Sequence, residues 1–230
     1  GSDGAGSALR RAVPAFEASS DILAAGYKEV LLPAHCSQSL DQFGLHIWPR
    51  GDHFLMGLAN KDGSFTGTLY LANEGDLSFQ SLNSEDAWKQ FLNEHYADAL
   101  PFMDGVDKAS KQLHSNPLGM LGTVKVAPWR VGNRIAVIGD AAHAMSPFKG
   151  QGANQALVDG VELARRLYRV PALRPMEAPP PVAPLSLKEA LLDFEKECIM
   201  RVTPKLKMSR QNAQLTHSIS ALAVADVPRA

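Results

Sequence analysis

The chain of 230 residues has little of several features that would narrow its class at once. It contains two cysteines, Cys36 and Cys198, which are too few and too far apart for a disulfide framework or a cysteine metal motif. Such usage is typical of a reducing compartment, so we expect an intracellular protein, either cytoplasmic or mitochondrial. The formal net charge is −1, and this lack of basic surplus predicts no nucleic-acid partner.

Long apolar runs are missing as well. No stretch approaches the roughly 18–20 apolar residues of a membrane-spanning helix, so we expect no membrane segment in this chain. No histidine has a neighbour at metal-ligand spacing, which predicts no metal site; those considered are His35, His46, His53, His95 and His114. A strand followed by G-x-G-x-x-G is also absent. The chain opens at Gly1 without a methionine, and we expect it to be the later part of a larger protein.

Alternating apolar residues in the first half predict a sheet. Residues 27–33 have a strand pattern, and three further strand candidates follow at 45–48, 54–59 and 64–71. Gly51 and Gly63 lie in the two short connections between those three strands, which favours an antiparallel meander. Alternation predicts three groups that each share a face: Leu45 with Ile47, then Phe54 with Met56 and Leu58, then Phe65 with Leu69 and Leu71.

Helix-capping residues and prolines divide the rest of the chain into helices, a strand and a linker. A helix is predicted over 84–97, with Ser84 as N-cap, and a strand over 119–128. The segment 170–184 is proline-rich and predicts an exposed linker. A last helix should begin near residue 186, with a kink or break at Pro204; its apolar face is formed by Leu187, Leu191, Phe194, Cys198 and Ile199.

The segment 134–140 is the sharpest single element of the sequence. Four apolar residues at 135–138 precede Gly139-Asp140, and such a run predicts a strand buried on both faces of a parallel sheet. A loop of small residues follows, and then a helix from about Gln151 to Arg169. The apolar face of that helix is predicted to contain Ala153, Ala156, Leu157, Gly160, Val161, Ala164, Leu167 and Tyr168.

This strand–loop–helix can hold a ligand for three physical reasons. Asp140 would sit at the carboxyl edge of a sheet, where its carboxylate can accept hydrogen bonds from hydroxyl groups. Gly150 and Gly152 would let the backbone approach a ligand closely. The N-terminus of the helix would favour an anion. His143 invites comparison with a hydrolase triad, but no G-x-S-x-G is present, so we expect a structural hydrogen bond from it.

The combined spacing G-D-A-A-H-x(3)-P-x(2)-G-Q-G-x-N, from Gly139 to Asn154, resembles the second flavin motif of FAD-dependent aromatic hydroxylases. The opening, Gly1 to Arg10, is similar to the Asp-Gly motif of the same class, G-x-D-G-x-x-S-x-[VL]-R. Three segments resemble the kynurenine 3-monooxygenase family within that class: Tyr27-Lys28-Glu29, Leu45-His46-Ile47-Trp48-Pro49-Arg50 and Ser64-Phe65-Thr66-Gly67-Thr68-Leu69. The resemblance extends to about Arg169.

The resemblance implies a mixed α/β (α+β) fold: part of an FAD-binding Rossmann-like domain, with an antiparallel sheet that roofs the substrate pocket and with C-terminal helices. The implied division is an Asp-Gly segment at 1–26, the roof sheet with its helix at 27–118, and the FAD-binding strand–loop–helix at 119–169. A proline-rich linker at 170–185 and a helical region at 186–230 complete it.

The resemblance also assigns site residues. Those expected to contact FAD are Asp3, Gly4, Arg10, Gly139, Asp140, Pro147, Gly150, Gln151, Gly152, Ala153 and Asn154. Those expected to line an aromatic pocket are Leu45, Met56, Leu58, Phe65, Pro147 and Phe148. No catalytic side chain and no metal are implied, because an amino-substituted ring is already activated. The implied cofactors are FAD and the electron donor NADPH, and the implied partners are a small aromatic substrate and dioxygen.

Three functions remain open on the sequence: a hydroxylase of kynurenine, a hydroxylase of a phenol or benzoate in the same class, and a non-catalytic FAD-binding module. The segment from Leu45 to Arg50 favours the first. Lys149 departs from the family, which tends to have an aromatic residue or histidine there. The missing G-x-G-x-x-G unit favours the third.

Overall fold

The computed structural model describes residues 12–13, 15–147, 150–173 and 183–215, with side chains described as far as residue 208. The chain divides into two compact units. The first holds the described residues up to Ile22 and those from Gly122 to Ala213, and the second runs from Leu23 to Leu121. The segments 1–11 and 174–182, which contain the Asp-Gly motif and most of the proline-rich stretch, lie outside the described residues.

The described elements come in blocks: four strands, then helices, then three more strands and further helices. In chain order they are β1 Glu17–Leu32, β2 His46–Arg50, β3 His53–Ala59, β4 Phe65–Ala72, α1 Glu85–His95, a 3-10 helix Leu100–Met103, α2 Val106–Ser115, β5 Gly119–Ala127, β6 Arg130–Val131, β7 Ile135–Ala136, α3 Asp140–His143, α4 Gly152–Tyr168, a 3-10 helix Pro171–Leu173 and α5 Leu187–Leu215. No helix in the described ranges is both long enough and apolar enough to cross a membrane.

The predicted meander is present as β2, β3 and β4. The five-stranded sheet has the order β2-β3-β4-β1-β5, and the β2–β3, β3–β4 and β4–β1 pairs are antiparallel. Gly51 and Gly63, with φ of 76° and 84°, provide the left-handed backbone in the two turns. The strand predicted over 27–33 begins ten residues earlier, at Glu17, because residues 17–26 are too rich in small and polar side chains to show alternation.

One face of this sheet forms the core of the second unit. Phe65 and Leu69 are buried there against Trp88 and Leu92 of α1 and Leu113 of α2. Helix α1 begins as its sequence predicts: the Ser84 side chain accepts a hydrogen bond from the Ala87 N–H at 3.2 Å, which satisfies one of the free donors of the first turn.

The prediction of a buried parallel strand at 134–140 is wrong. Only Ile135–Ala136 is extended as a strand, and it pairs antiparallel with Arg130–Val131. Two strands joined by a three-residue turn, here around Gly132 with φ of 58°, can pair only in the antiparallel sense. Val137 is buried, whereas Ile138 is 38% exposed, so the apolar run does not lie between two covered faces.

The bounds predicted for helix α4 are confirmed, but the predicted apolar face is not the face that is buried. The predicted face is largely exposed, with Leu157 71% and Val161 50% accessible, whereas Gln155 and Asp159 are buried. The buried polar stripe is stabilised because α5 presents Arg201 to it. Apolar periodicity identifies a stripe on a helix, but it does not reveal which stripe meets a partner.

Helix α5 begins with a reciprocal cap. The Ser186 N–H donates to Glu189 Oε2 at 2.8 Å, and the Glu189 N–H donates to Ser186 Oγ at 3.2 Å, which is a capping box. The predicted face is buried at Leu191, Phe194 and Cys198, whereas Ile199 is 37% exposed. The helix continues through Pro204 without a break.

Candidate cofactor site and apolar sheet face

The turn after β7 depends on a glycine. Gly139 has φ of 58°, and a Cβ at this position would lie 3.0 Å from the Cβ of Ala156 on α4. Both its backbone conformation and its close packing against the helix therefore disfavour any side chain. Asp140 follows as the first residue of α3 and is exposed.

The N-terminus of α4 lies beside that aspartate. A Cβ placed on Gly152, the first helical residue, would have the Asp140 Oδ1 and Met145 Cγ atoms as its nearest neighbours, both at 3.9 Å. The N-cap residue Gln151 provides no side-chain cap to the first turn. Gly150 has φ of 59°, and a Cβ at that position would meet nothing within 4 Å. Among the described residues, the first turn therefore has space beside its backbone and a positive dipole end next to one carboxylate.

A buried ionic cluster holds the Gly139–Asp140 turn in place. Asp159 Oδ2 accepts hydrogen bonds from His143 Nε2 at 2.6 Å and from the Gly139 N–H at 2.9 Å. Its other oxygen accepts from Arg201 Nη2 at 2.5 Å. Burial by itself would raise the pKa of Asp159, but the hydrogen bonds from His143 and Gly139 and the pairing with Arg201 outweigh it and lower that pKa. The expectation that His143 makes a structural hydrogen bond is confirmed.

Gln155 extends the same cluster by one helical turn. Its Oε1 accepts from Arg201 Nη1 at 2.6 Å and from Lys205 Nζ at 2.7 Å. Asp159 and Gln155 were missed in the sequence because polar side chains are normally assigned to the solvent side of a helix. Their i, i+4 spacing within an otherwise apolar stretch is the one signal that pointed to them.

The structure thus brings together the predicted cofactor residues of the first unit. Gly139, Asp140 and the segment 150–154 surround the N-terminus of α4, with Ala153 and Asn154 exposed on its first turn. Pro147 is described and exposed. The other three predicted cofactor contacts, Asp3, Gly4 and Arg10, lie outside the described residues, as does the predicted pocket residue Phe148.

The sheet face of the second unit that lies opposite the one packed against α1 and α2 is also apolar, and it is partly exposed. It is the face opposite Leu69, and the register places Met56 across from Ile47, and Thr68 across from Met56. Three side chains on it are strongly exposed: Leu45 at 55%, Ile47 at 49% and Leu58 at 48%. The predicted pocket residues Leu45, Met56 and Leu58 therefore share one face.

Phe65 does not join that group. It lies on the helix-side face and is fully buried in the core, because a one-residue difference in strand position reverses the direction of a side chain. Phe54 and Tyr70 occupy the apolar face instead; they are cross-strand partners, with stacked rings whose centroids are 4.5 Å apart. Burial raises the pKa of Tyr70 to about 12, so its hydroxyl is protonated at neutral pH. Counting alternation through the meander would have identified both residues.

The strand–turn–helix around Gly139 and the antiparallel sheet together place the chain in the class of FAD-binding proteins. The chain belongs to the family described as the FAD binding domain, whose model matches residues 1–172.

The individual relatives are more specific. Kynurenine 3-monooxygenase of Flavobacterium psychrophilum is 42% identical over 164 residues, which are 69% of this chain and 36% of that protein. The enzyme of the same name from Stenotrophomonas maltophilia is 41% identical over 172 residues, 73% of this chain and 37% of that protein. The one from Dictyostelium discoideum is 40% identical over 169 residues, 71% of this chain and 36% of that protein. The chain therefore spans little more than a third of the length of these relatives.

Solved structures agree on the fold. Klebsiella pneumoniae HpxO, complexed with FAD and uric acid, matches 94% of this chain and 50% of its own with a TM-score of 0.66 and 19% identity. The tetrameric form of 2-methyl-3-hydroxypyridine-5-carboxylic acid oxygenase matches 90% of this chain and 52% of its own, with a TM-score of 0.64 and 19% identity. The resemblance to FAD-dependent hydroxylases and the mixed α/β class are therefore confirmed.

Proposed function

We propose that this chain supplies FAD-contacting and substrate-facing residues to a monooxygenase that hydroxylates an aromatic substrate, with kynurenine as the substrate, NADPH as the electron donor and dioxygen as the oxidant. The observation that carries the proposal is the Asp140 carboxylate beside the open N-terminus of α4. A carboxylate that can accept from hydroxyl groups, next to free backbone donors, matches a ligand with both a sugar-alcohol chain and an electron-rich ring.

The residues around this turn fit FAD. The space around Gly150 and Gly152 would let a planar ring reach the backbone of the first turn, and the helix dipole would stabilise negative charge on that ring. Asp140 would contact the ribityl chain or the pyrophosphate region, and its carboxylate would accept hydrogen bonds from ribityl hydroxyl groups. Bound FAD would supply electron transfer from the nicotinamide to dioxygen.

The substrate half of the proposal is supported by the apolar sheet face. Its exposed leucines and the Phe54–Tyr70 pair present an apolar surface suited to a flat aromatic molecule. Exclusion of water is required because the activated oxygen must reach the ring rather than be lost to solvent. A ring that has an amino substituent is already activated, so the proposal requires no protein base.

A chimaeric enzyme tests the proposal directly. The 164 residues of this chain that align with the Flavobacterium psychrophilum enzyme would replace their counterpart in that enzyme. We expect the purified chimaera to retain FAD, to oxidise NADPH faster when kynurenine is added, and to yield a product heavier by one oxygen atom by mass spectrometry. The same chimaera with Asp140→Ala is the matched control and should lose FAD.

The two rival functions give different outcomes. A chimaera that keeps FAD but hydroxylates a phenol or benzoate and leaves kynurenine unchanged would establish the second hydroxylase class. A folded chimaera that takes up no FAD, judged by circular dichroism and visible absorbance, would contradict the flavin proposal and favour a non-catalytic module.

A further inference from the structure

Three possible metal ligands meet at one end of the second unit. His35 and Cys36 lie on the turn that follows β1, and Asp104 follows the 3-10 helix Leu100–Met103. The imidazole nitrogen, the thiol sulfur and a carboxylate oxygen of these residues all lie within 4.8 Å of one another. The sequence hides the cluster, because two ligands are adjacent in the chain and the third is distant from them.

The backbone holds these side chains in defined positions. The turn is closed by hydrogen bonds to the Pro33 carbonyl from the Cys36 N–H at 3.0 Å and the Ser37 N–H at 3.1 Å. The Ser37 hydroxyl adds a third hydrogen bond to the same carbonyl at 2.9 Å. On the other side, the Asp104 N–H caps the 3-10 helix by donating to the Leu100 carbonyl. Little rearrangement of the backbone is therefore needed to bring the ligand atoms onto one ion.

The separation of the histidine and carboxylate donor atoms suits a small ion. Zn²⁺ binds histidine, thiolate and carboxylate at about 2.0–2.3 Å with tetrahedral geometry, which places neighbouring donor atoms roughly 3.4–3.6 Å apart. His35 Nε2 and Asp104 Oδ2 are 3.6 Å apart. One nitrogen, one sulfur and one oxygen are also a mixture that Zn²⁺ accepts and that Mg²⁺ and Ca²⁺ do not favour.

We propose that His35, Cys36 and Asp104 form a binding site for Zn²⁺ or a similar divalent transition-metal ion, with water in the fourth position. The His35 side chain is 68% exposed and that of Asp104 is 27% exposed, so an ion can enter from solvent. A bound ion would join the turn after β1 to the end of the 3-10 helix.

Lys108 competes with a metal ion for the Asp104 carboxylate. This competition allows an experiment to distinguish a metal site from an ordinary surface ion pair. Its ammonium group donates to Asp104 Oδ2 and is part of an exposed i, i+4 pair. A metal ion must displace that ammonium group, whose side chain is 66% exposed and free to swing away. Removing the ammonium charge should therefore strengthen metal binding, although the variant loses a salt bridge.

The experiment uses the full chain under reducing conditions. Titration with Co²⁺, which accepts similar ligands, should give a thiolate-to-cobalt charge-transfer band. That band should disappear in Cys36→Ser and persist in Cys198→Ala, because Cys198 is buried in the first unit. Calorimetric titration with Zn²⁺ should show at least about tenfold weaker binding for His35→Gln and Asp104→Asn, given that loss of even an outer-shell partner costs about 10–100-fold.

The Lys108→Gln variant should bind Zn²⁺ about two- to fivefold more tightly, which is the range set by one exposed ion pair. His114→Gln, an exposed histidine on α2, is the matched control and should bind as the unchanged chain does. Zn²⁺ should also raise the unfolding temperature of the unchanged chain. Absence of the cobalt band, unchanged Zn²⁺ affinity in Cys36→Ser, or weaker binding in Lys108→Gln would overturn the proposal. Circular dichroism of each variant separates these results from misfolding.

Discussion

Asp159 is the residue on which three parts of the first unit converge. Its carboxylate is fully buried and bonds to His143 on α3, to the backbone of Gly139 and to Arg201 on α5. A buried charge is tolerated only when it is paired and hydrogen-bonded. The cluster therefore holds the Gly139–Asp140 turn in place, as hydrophobic packing does elsewhere. Because hydrogen bonds are directional, it also fixes the orientation of the turn.

Asp159→Asn should lower the free energy of unfolding by about 3–5 kcal/mol, because it leaves Arg201 without its buried partner. Urea denaturation followed by circular dichroism measures this. The control is Asp193→Asn, which removes the partly exposed partner of Arg166 and should cost less than about 1 kcal/mol. Equal losses of unfolding free energy in the two variants would show that the buried cluster stabilises the chain no more than a partly exposed ion pair does.

His53 is a second buried titratable residue, in the second unit. It is 2% exposed, and its Nδ1 pairs with the Tyr96 hydroxyl at 2.8 Å. Burial lowers the pKa of His53 to about 4; neighbouring His95 and Arg50 act in the same direction, while Asp52 opposes them. Folding therefore requires the neutral imidazole.

The stability of the second unit should consequently depend on pH. Between pH of about 6.5 and about 4 the unfolded chain binds a proton at His53 that the folded chain does not. This contribution is complete above pH of about 6.5 and is lost as the pH falls towards about 4, for a total of roughly 3 kcal/mol. Urea denaturation at a series of pH values should show the slope flattened in His53→Gln and kept in His114→Gln. An unchanged slope in His53→Gln would contradict the assignment.

At the scale of the element, the side chain of the N-cap residue Gln151 does not cap the first turn of α4, so a partner from outside the helix can bind there. Gly152 tolerates a methyl group, since a Cβ added there would have no neighbour closer than 3.9 Å. Gly152→Ala should therefore raise stability by about 0.5–1 kcal/mol, the usual gain of alanine over glycine in a helix.

The same methyl group would occupy the space in which the proposed function has FAD approach the backbone. In the chimaeric enzyme, Gly152→Ala should weaken FAD binding at least about tenfold, as expected when a hydrogen bond to a charged group is lost. Fluorescence titration with FAD and thermal unfolding measure the two effects. Higher stability with unchanged FAD affinity would place the cofactor elsewhere.

The sheet of the second unit has two faces with different consequences for mutation. Leu69→Ala on the buried face should cost about 2–5 kcal/mol, because it leaves a cavity against α1. Leu58→Ala on the apolar face, where the side chain is 48% exposed, should cost less than about 1 kcal/mol. Urea denaturation of the two single variants tests this contrast, and a large loss in Leu58→Ala would mean that the apolar face is covered.

At the scale of the whole molecule, the chain covers little more than a third of the curated relatives it matches. Helix α4 presents an exposed apolar stripe that includes Leu157 and Val161. Stripes of this kind favour association with other apolar surfaces. The isolated chain should therefore self-associate as its concentration rises.

The double variant Leu157→Glu with Val161→Lys replaces this stripe by an i, i+4 ion pair. It should abolish the concentration dependence of the sedimentation coefficient while changing the free energy of unfolding by less than about 0.5 kcal/mol. Sedimentation velocity at several concentrations measures the first effect. An unmodified chain that sediments independently of concentration would disprove the expected association.

Much of this molecule followed from local patterns in the sequence. The meander, the N-cap Ser84 and the bounds of α4 were predicted because turn glycines, caps and alternation act over a few residues. The motif from Gly139 to Asn154 likewise predicted which residues surround the start of α4, since its members are close along the chain.

Only the tertiary structure decided which surfaces meet. It turned the apolar run at 135–138 into half of a hairpin and buried the polar stripe of α4 at Asp159. It also brought Asp104 to His35 and Cys36. The physical reason is the same in each case: a sequence states the preference of each face, whereas burial, charge pairing and ligand separation depend on partners that are distant along the chain.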